Sequence, residues 1–250
     1  MRRAIYEKCL DLEGENYMNY MSEAGKHHSY DNAQNQDYVL YEKNNNTSYI
    51  ILADGVSSGK YSADGARIAC DITKEFLKAT GETIFDRNSY EIAGSLLSDI
   101  NVALKCEAEK RKADIDEYAS TIAFAVIDYN RNEIYYFSLG DSLIIVSGNE
   151  SFTVLSMPSD SREGCCVTTT LNGYMHSNSG VISTDDINSV VICSDGAWHL
   201  MYNRNKIDPA VREVLIKQDY NSLFKLLTDK ERVDDCSIIS MDLVGNSFKS

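Results

Sequence analysis

Between Ser120 and Ser156 the chain strings together β-rich runs, Thr121 to Asp128, Glu133 to Ser138, Ser142 to Ser147 and Phe152 to Leu155, separated only by short polar turns such as Tyr129-Asn130-Arg131-Asn132. Turns of that length join antiparallel neighbours, because a parallel pair needs a crossover of about a dozen residues or more. A meander is therefore built into the middle of the fold. Asp37 to Lys43 and Ser48 to Asp54, joined by Asn44-Asn45-Asn46, read as a hairpin. Val190 to Cys193 reads as a buried strand and Cys236 to Met241 as the last one.

Helical periodicity occupies separate stretches. From Ser62 to Ala79 the apolar positions are Ile68, Ile72, Phe76 and Leu77; from Ser89 to Lys112 they are Ile92, Leu96, Ile100, Leu104 and Ala108. Further helices are expected around Ala197 to Tyr202 and Asp208 to Leu227. Strands grouped before and after helices, without βαβ alternation, indicate an α+β layered fold with antiparallel sheets. Two prolines and scattered glycines leave no linker, so residues 1–250 read as a single domain whose organised core spans about Tyr17 to Val244. Residues 1 to 16 read as a short helix or arm, and 157 to 189 show no clear period.

Charge narrows the partners. With 24 Lys plus Arg against 38 Asp plus Glu the formal charge is −14, and the densest basic cluster is Lys110-Arg111-Lys112, which argues against nucleic acid and anionic membrane. The 7 cysteines form no CxxC pair, so neither a zinc ribbon nor a disulfide framework is expected. No apolar run approaches the ~20 residues of a membrane span and the N-terminus lacks an apolar signal core, which reads as cytoplasmic.

The chemistry lies at the ends of the apolar runs. Asp37 opens one, Asp54 closes Ile50-Ile51-Leu52-Ala53, Asp195 follows Val190 to Ser194, and Asp234-Asp235 precede Cys236. Carboxylates brought together at strand ends repel one another and raise each other's pKa unless a cation neutralises them. Hard divalent ions such as Mg²⁺ and Mn²⁺ favour that all-oxygen set, and a pair of them can activate water toward a phosphoryl group. Each aspartate alone reads more readily as a turn residue or helix cap.

Their order changes the reading. Asn35-Gln36-Asp37, Asp54-Gly55, Ser120-Thr121, Gly140-Asp141-Ser142, Ser194-Asp195-Gly196 and Asp234-Asp235, in succession, resemble the metal-dependent protein phosphatases, the type 2C serine/threonine phosphatases, in their bacterial form. The resemblance spans roughly Gly25 to Met241. It implies a four-layer αββα sandwich, two antiparallel sheets flanked by helices, and a dinuclear Mn²⁺ or Mg²⁺ centre. It further implies hydrolysis of phosphoserine or phosphothreonine in a phosphorylated protein substrate by a water activated at the metals, as part of signalling. Carried over by position, the resemblance implies that Asp54 would bridge both metals, the Gly55 carbonyl would bind one, Asp195 and Asp234 would complete the other, and Asp37 would hold the water. Asp116, with Asp114 as fallback, matches the acidic ligand of a third ion; Asp141 reads as a turn cap.

The chain also departs from the family. Gln36 stands where eukaryotic members carry a glutamate ligand, and Asn32 where the family carries its phosphate-gripping arginine. Gly25-Lys26-His27-His28 resembles a Gly-x-x-His stretch of some bacterial members, making His28 a candidate for contact with phosphate or water beside Asn32. Ser159 to Glu163 falls at the family's variable flap, a candidate for substrate contact.

Two rivals share these residues. A catalytically attenuated phosphatase-like sensor or partner-binding domain would keep the acidic site without turnover. Gly55-Val56-Ser57-Ser58-Gly59 formally matches the nucleophile elbow of a serine hydrolase. That reading lacks the strand–helix alternation of the hydrolase fold.

Overall fold

A computed structural model describes residues 5–10, 17–25, 35–44, 46–158, 165–203, 206–230 and 233–243. Among them are the strands β1 (Ile5–Leu10), β2 (Tyr17–Glu23), β3 (Tyr38–Lys43), β4 (Thr47–Ala53), β5 (Ile122–Asp128), β6 (Glu133–Leu139), β7 (Leu143–Ser147), β8 (Phe152–Ser156), β9 (Asn178–Ser183), β10 (Ser189–Cys193), β11 (Tyr202–Asn203), β12 (Lys206–Ile207) and β13 (Cys236–Asp242). The helices are α1 (Ser62–Thr80), α2 (Ser89–Arg111), α3 (Asp195–Met201), α4 (Pro209–Ile216) and α5 (Tyr220–Thr228). A 6-stranded sheet runs β1-β2-β13-β10-β7-β8 and a 5-stranded sheet β3-β4-β5-β6-β9, with β11-β12 a separate small ribbon. Each strand pair is antiparallel.

Strand alternation sorts the apolar residues into three layers. Tyr49, Ile51, Ala53, Phe124, Val126 and Phe137 face outward onto α1 and α2. Their neighbours Ile50, Leu52, Ala123, Ala125 and Ile127 meet Ile144, Val146, Val190, Ile192 and Ile239 of the other sheet. On that sheet's outer side Leu143, Ile145, Val191, Cys193 and Ile238 carry Ala197, Met201, Leu215, Leu223 and Phe224 of α3 to α5. With both faces covered, β4, β5, β7 and β10 read as continuous apolar runs. The architecture is the expected αββα sandwich.

Several details differ from the sequence reading. Residues 5–10 form an edge strand paired with β2 rather than a helix or arm. Residues 208–227 form two helices, because Gln218 adopts φ 56° and Asp219 caps the second helix by accepting from Ser222 N–H at 3.1 Å. The unassigned stretch contributes β9, paired with β6. The buried stripe of α1 is Ala66, Ala69, Cys70, Thr73, Phe76 and Leu77, leaving Ile68 and Ile72 half-buried at its flank. In α2 the expected Ile92, Leu96, Ile100, Leu104 and Ala108 are all buried. Cys166, like Cys70, Cys106 and Cys193, is a free cysteine.

Candidate metal centre

Strand register brings the aspartates to one end of the sandwich. Tyr38 pairs with Ala53, so Asp37, one residue before β3, stands across from Asp54, one residue after β4. Leu52 pairs with Ala123, so Thr121 is Asp54's neighbour on the other side. In the second sheet Cys193 pairs with both Leu143 and Ile238, which sets Asp195 level with Asp141 and beside Asp234-Asp235.

Backbone hydrogen bonds fix these ends. The Thr121 N–H donates to the Asp54 carbonyl at 2.7 Å, and the Asp54 N–H donates to Thr121 Oγ1 at 3.0 Å. The Gly55 N–H donates to the Gln36 carbonyl at 3.2 Å. Asp235, buried, accepts the Gly25 N–H on Oδ1 and the Gln36 N–H on Oδ2, each at 2.7 Å. It therefore ties the segment before β13 to the segment before β3. Its neighbour Asp234 is exposed and accepts the Asp235 N–H on Oδ1 at 2.9 Å. Gly196 admits this approach, since a Cβ there would meet the Asp235 carbonyl oxygen at 2.0 Å.

The electrostatics follow from crowding. Asp54's carboxyl is held well above the usual carboxylate range, first by burial, then by the charges of Asp37, Asp195 and Asp141. Burial, then Asp235, pushes Asp37 up to about 7, against the opposing pull of Ser237, Asp54 and Ser194. Asp195 is raised by burial, then by Asp141 and Asp234, with Asp54 and His199 pulling it back. Asp54 is thus pressed by carboxylates from both sheets.

Asp141 is the member of this cluster that the sequence reading set aside as a turn cap. Its carbonyl accepts the Trp198 indole N–H at 2.9 Å, joining α3 to the β6–β7 turn. The signal was present in the strand arithmetic: a residue two places before β7 lies level with one two places after β10.

The other candidates fall differently. Asp116 is exposed on a 3-10 turn at Ile115–Tyr118, its N–H donating to Asp114 Oδ1 at 3.1 Å, and the charges acting on Asp54 come from other residues. Ser57 and Ser58 are exposed in the loop after Gly55, and antiparallel sheets replace the parallel sheet a hydrolase elbow requires. His28, Asn32 and the Ser159 to Glu163 flap lie outside the described residues.

A hard cation fits this donor set. Both carboxylate oxygens of Asp37 and the Gln36 Oε1 are buried and make no hydrogen bond of good geometry among the described residues, although Ser237, Asp54 and Ser194 lie close enough to pull on Asp37. Orphaned acceptors of that kind call for a cation, a donor or water. Among the described residues no group of three or more His, Cys, Asp or Glu is placed to hold a metal ion. Mg²⁺ and Mn²⁺ take many of their ligands from water and carbonyl oxygens, so few side-chain ligands are needed to hold them.

Known structures share the fold. RsbX in complex with magnesium superposes with a TM-score of 0.64 at 13% identity, over 95% of this chain and 99% of that one. The serine/threonine phosphatase Stp1 from Staphylococcus aureus gives 0.67 at 14% identity, over 98% and 99%. PppA of Pseudomonas aeruginosa gives 0.65 at 16% identity, over 91% and 97%. No curated protein matches by sequence. A protein-family model described as Protein phosphatase 2C matches residues 24–229, and by that span the chain belongs to the protein phosphatase 2C family.

Proposed function

We propose that the chain is a metal-dependent serine/threonine phosphoprotein phosphatase working at the acidic end of the sandwich. The observation that carries this reading is the pressure on Asp54 from Asp37 in its own sheet and from Asp195 and Asp141 in the opposite region of the cleft. Like charges packed this closely are stable together only when protonated or when cations sit among them.

In this reading Asp54, the Gly55 carbonyl, Asp195 and Asp234 hold two Mn²⁺ or Mg²⁺ ions. A third ion falls to Asp141 in preference to Asp116, since it is Asp141 whose charge acts on Asp54 and Asp195. Bound there, the ions supply Lewis-acid polarisation of the phosphoryl group and acidify the attacking water. Asp37, buried with unpartnered oxygens, orients that water and accepts its proton. Asp235 is a positioning residue that holds Gln36, and through it Gly55, in place. His28 and Asn32 are proposed as phosphate contacts on the sequence resemblance alone. A phosphoprotein partner and a cytoplasmic location belong to the same proposal; among the described residues no helix is long and apolar enough to cross a membrane.

The test is p-nitrophenyl phosphate hydrolysis by the purified protein in MnCl₂, in excess EDTA, and in Asp195→Asn. Turnover that depends on Mn²⁺ and is lost in both other arms supports the proposal. Absence of turnover, with Mn²⁺ still raising the melting temperature of the wild type but not of Asp195→Asn, would leave a metal-binding domain without catalysis.

A further inference from the structure

A cavity among the described residues lies away from the acidic cleft. Its volume is about 330 Å³, and it is lined by Ile127, Asp128, Tyr129 and Asn132 on one side and by Thr184 to Ile187 and Leu243 on the other. Asp128 ends β5, whereas Thr121, which holds Asp54, precedes that strand, so the cavity and the cleft are separated by about 20 Å of extended chain.

Two features give it a chemical preference. Asp128 is fully buried; its Oδ1 accepts the N–H groups of Asn130 and Arg131 at 2.9 and 3.0 Å, while its buried Oδ2 makes no hydrogen bond among the described residues. The Oδ1 of Asn132 is likewise buried and without a donor. Asp185 and Asp186 are exposed, and the rest of the lining is largely apolar, through Ile127, Ile187 and Leu243. Acceptors thus stand at a buried site and at an exposed one, with an aliphatic surface in the same cavity.

The walls are fixed before any ligand arrives. The Thr184 N–H donates to the Asn132 carbonyl at 2.9 Å, the Ile187 N–H to Thr184 at 3.0 Å, and the Leu243 N–H to Asn188 at 2.6 Å. A hard metal ion suits the space poorly. The Nε of Arg131 lies 3.7 Å from Asp128 Oδ2, beyond hydrogen-bond distance, and a bare ion would leave Ile127, Ile187 and Leu243 uncovered.

We propose that this cavity binds an aliphatic diamine or polyamine, one ammonium donating to Asp128 Oδ2 and Asn132 Oδ1, the other meeting Asp185 and Asp186, with the methylene chain against Ile127, Ile187 and Leu243. Ammonium groups bring the donors that both buried acceptors lack, and the methylenes match the apolar wall. The volume is in the range of small-molecule sites.

Isothermal titration calorimetry with cadaverine tests this, with 1-pentanol as the uncharged control of similar length and CaCl₂ as the hard-cation control. Asp128 caps its turn, so the variants are Asn132→Gly, which suits the φ of 56° at that position, and Asp186→Asn, which suits 61°. The expected result is saturable cadaverine binding, weakened about tenfold by each substitution, as for the loss of one charge-assisted hydrogen bond, with no binding of 1-pentanol. Cadaverine heats that are absent overturn the proposal. Heats unchanged in both variants also overturn it, since they would be diffuse attraction to an acidic chain. Equal binding of 1-pentanol, or saturable CaCl₂ binding in place of cadaverine, would assign the cavity to a different ligand.

Discussion

Asp54 and Thr121 bind each other twice, the threonine N–H donating to the Asp54 carbonyl at 2.7 Å and the Asp54 N–H donating to Thr121 Oγ1 at 3.0 Å. The backbone half of this exchange continues the β4–β5 ladder past its last regular pair, and the side-chain half supplies the acceptor for the Asp54 N–H. Thr121→Val keeps the shape and removes the hydroxyl, leaving the Asp54 N–H without its acceptor. We expect a loss of about 1–3 kcal/mol in urea unfolding, a larger fall in Mn²⁺-dependent turnover than that loss of stability accounts for, and recovery of both in Thr121→Ser.

The adjacent pair Asp234-Asp235 divides its work. Asp235→Asn places an amide NH₂ against one of two backbone donors, so it should lower stability by about 3 kcal/mol or more. Asp234→Asn, at an exposed position, should leave unfolding nearly unchanged and instead raise the Mn²⁺ concentration needed for half-maximal turnover. Similar stability losses in both variants would contradict this division.

The raised carboxyl of Asp37 fixes a pH dependence. Its pKa is about 7 in the folded protein and close to 4 in the unfolded chain. Between those values the native state holds the proton that the unfolded state has released. The stability from this group is therefore fully present below about pH 4 and is lost as pH rises through about 7. Melting of the EDTA-treated protein across that window should show a falling contribution that Asp37→Asn removes. Because a cation replaces the proton, the melting-temperature gain from Mn²⁺ should be greater at pH 8 than at pH 5.

Asp141 adds negative charge to Asp54 and Asp195. Asp141→Asn should therefore raise the melting temperature in EDTA, by relieving repulsion, while reducing the further rise caused by Mn²⁺. Thermal melts in the two conditions separate this from a residue that only caps a turn, whose loss lowers the melting temperature in both.

Much of this was legible in the amino acids, and the exceptions have physical reasons. The meander strands announced themselves because both of their faces are covered, which makes the runs continuously apolar. Asp37, Asp54, Asp195 and Asp234 were visible because each borders such a run. Residues 5–10 form an edge strand in a polar stretch with little apolar periodicity to mark it. The break at Gln218 rests on one backbone angle, which composition does not encode. Asp141 reads in sequence as local capping of a Gly-Asp-Ser turn, whereas its position level with Asp195 depends on the register between β7 and β10, a relation between distant parts of the chain.

Asp54 leaves one sheet and Asp195 leaves the other, and between their strands lies the layer of Ile50, Leu52, Val190 and Ile192. The gap between the two carboxylates is thus gauged by the thickness of a hydrocarbon slab. Methyl groups remote from the solvent act as spacers for the proposed ion site, so trimming one of them should shift the separation of the two carboxylates without touching either.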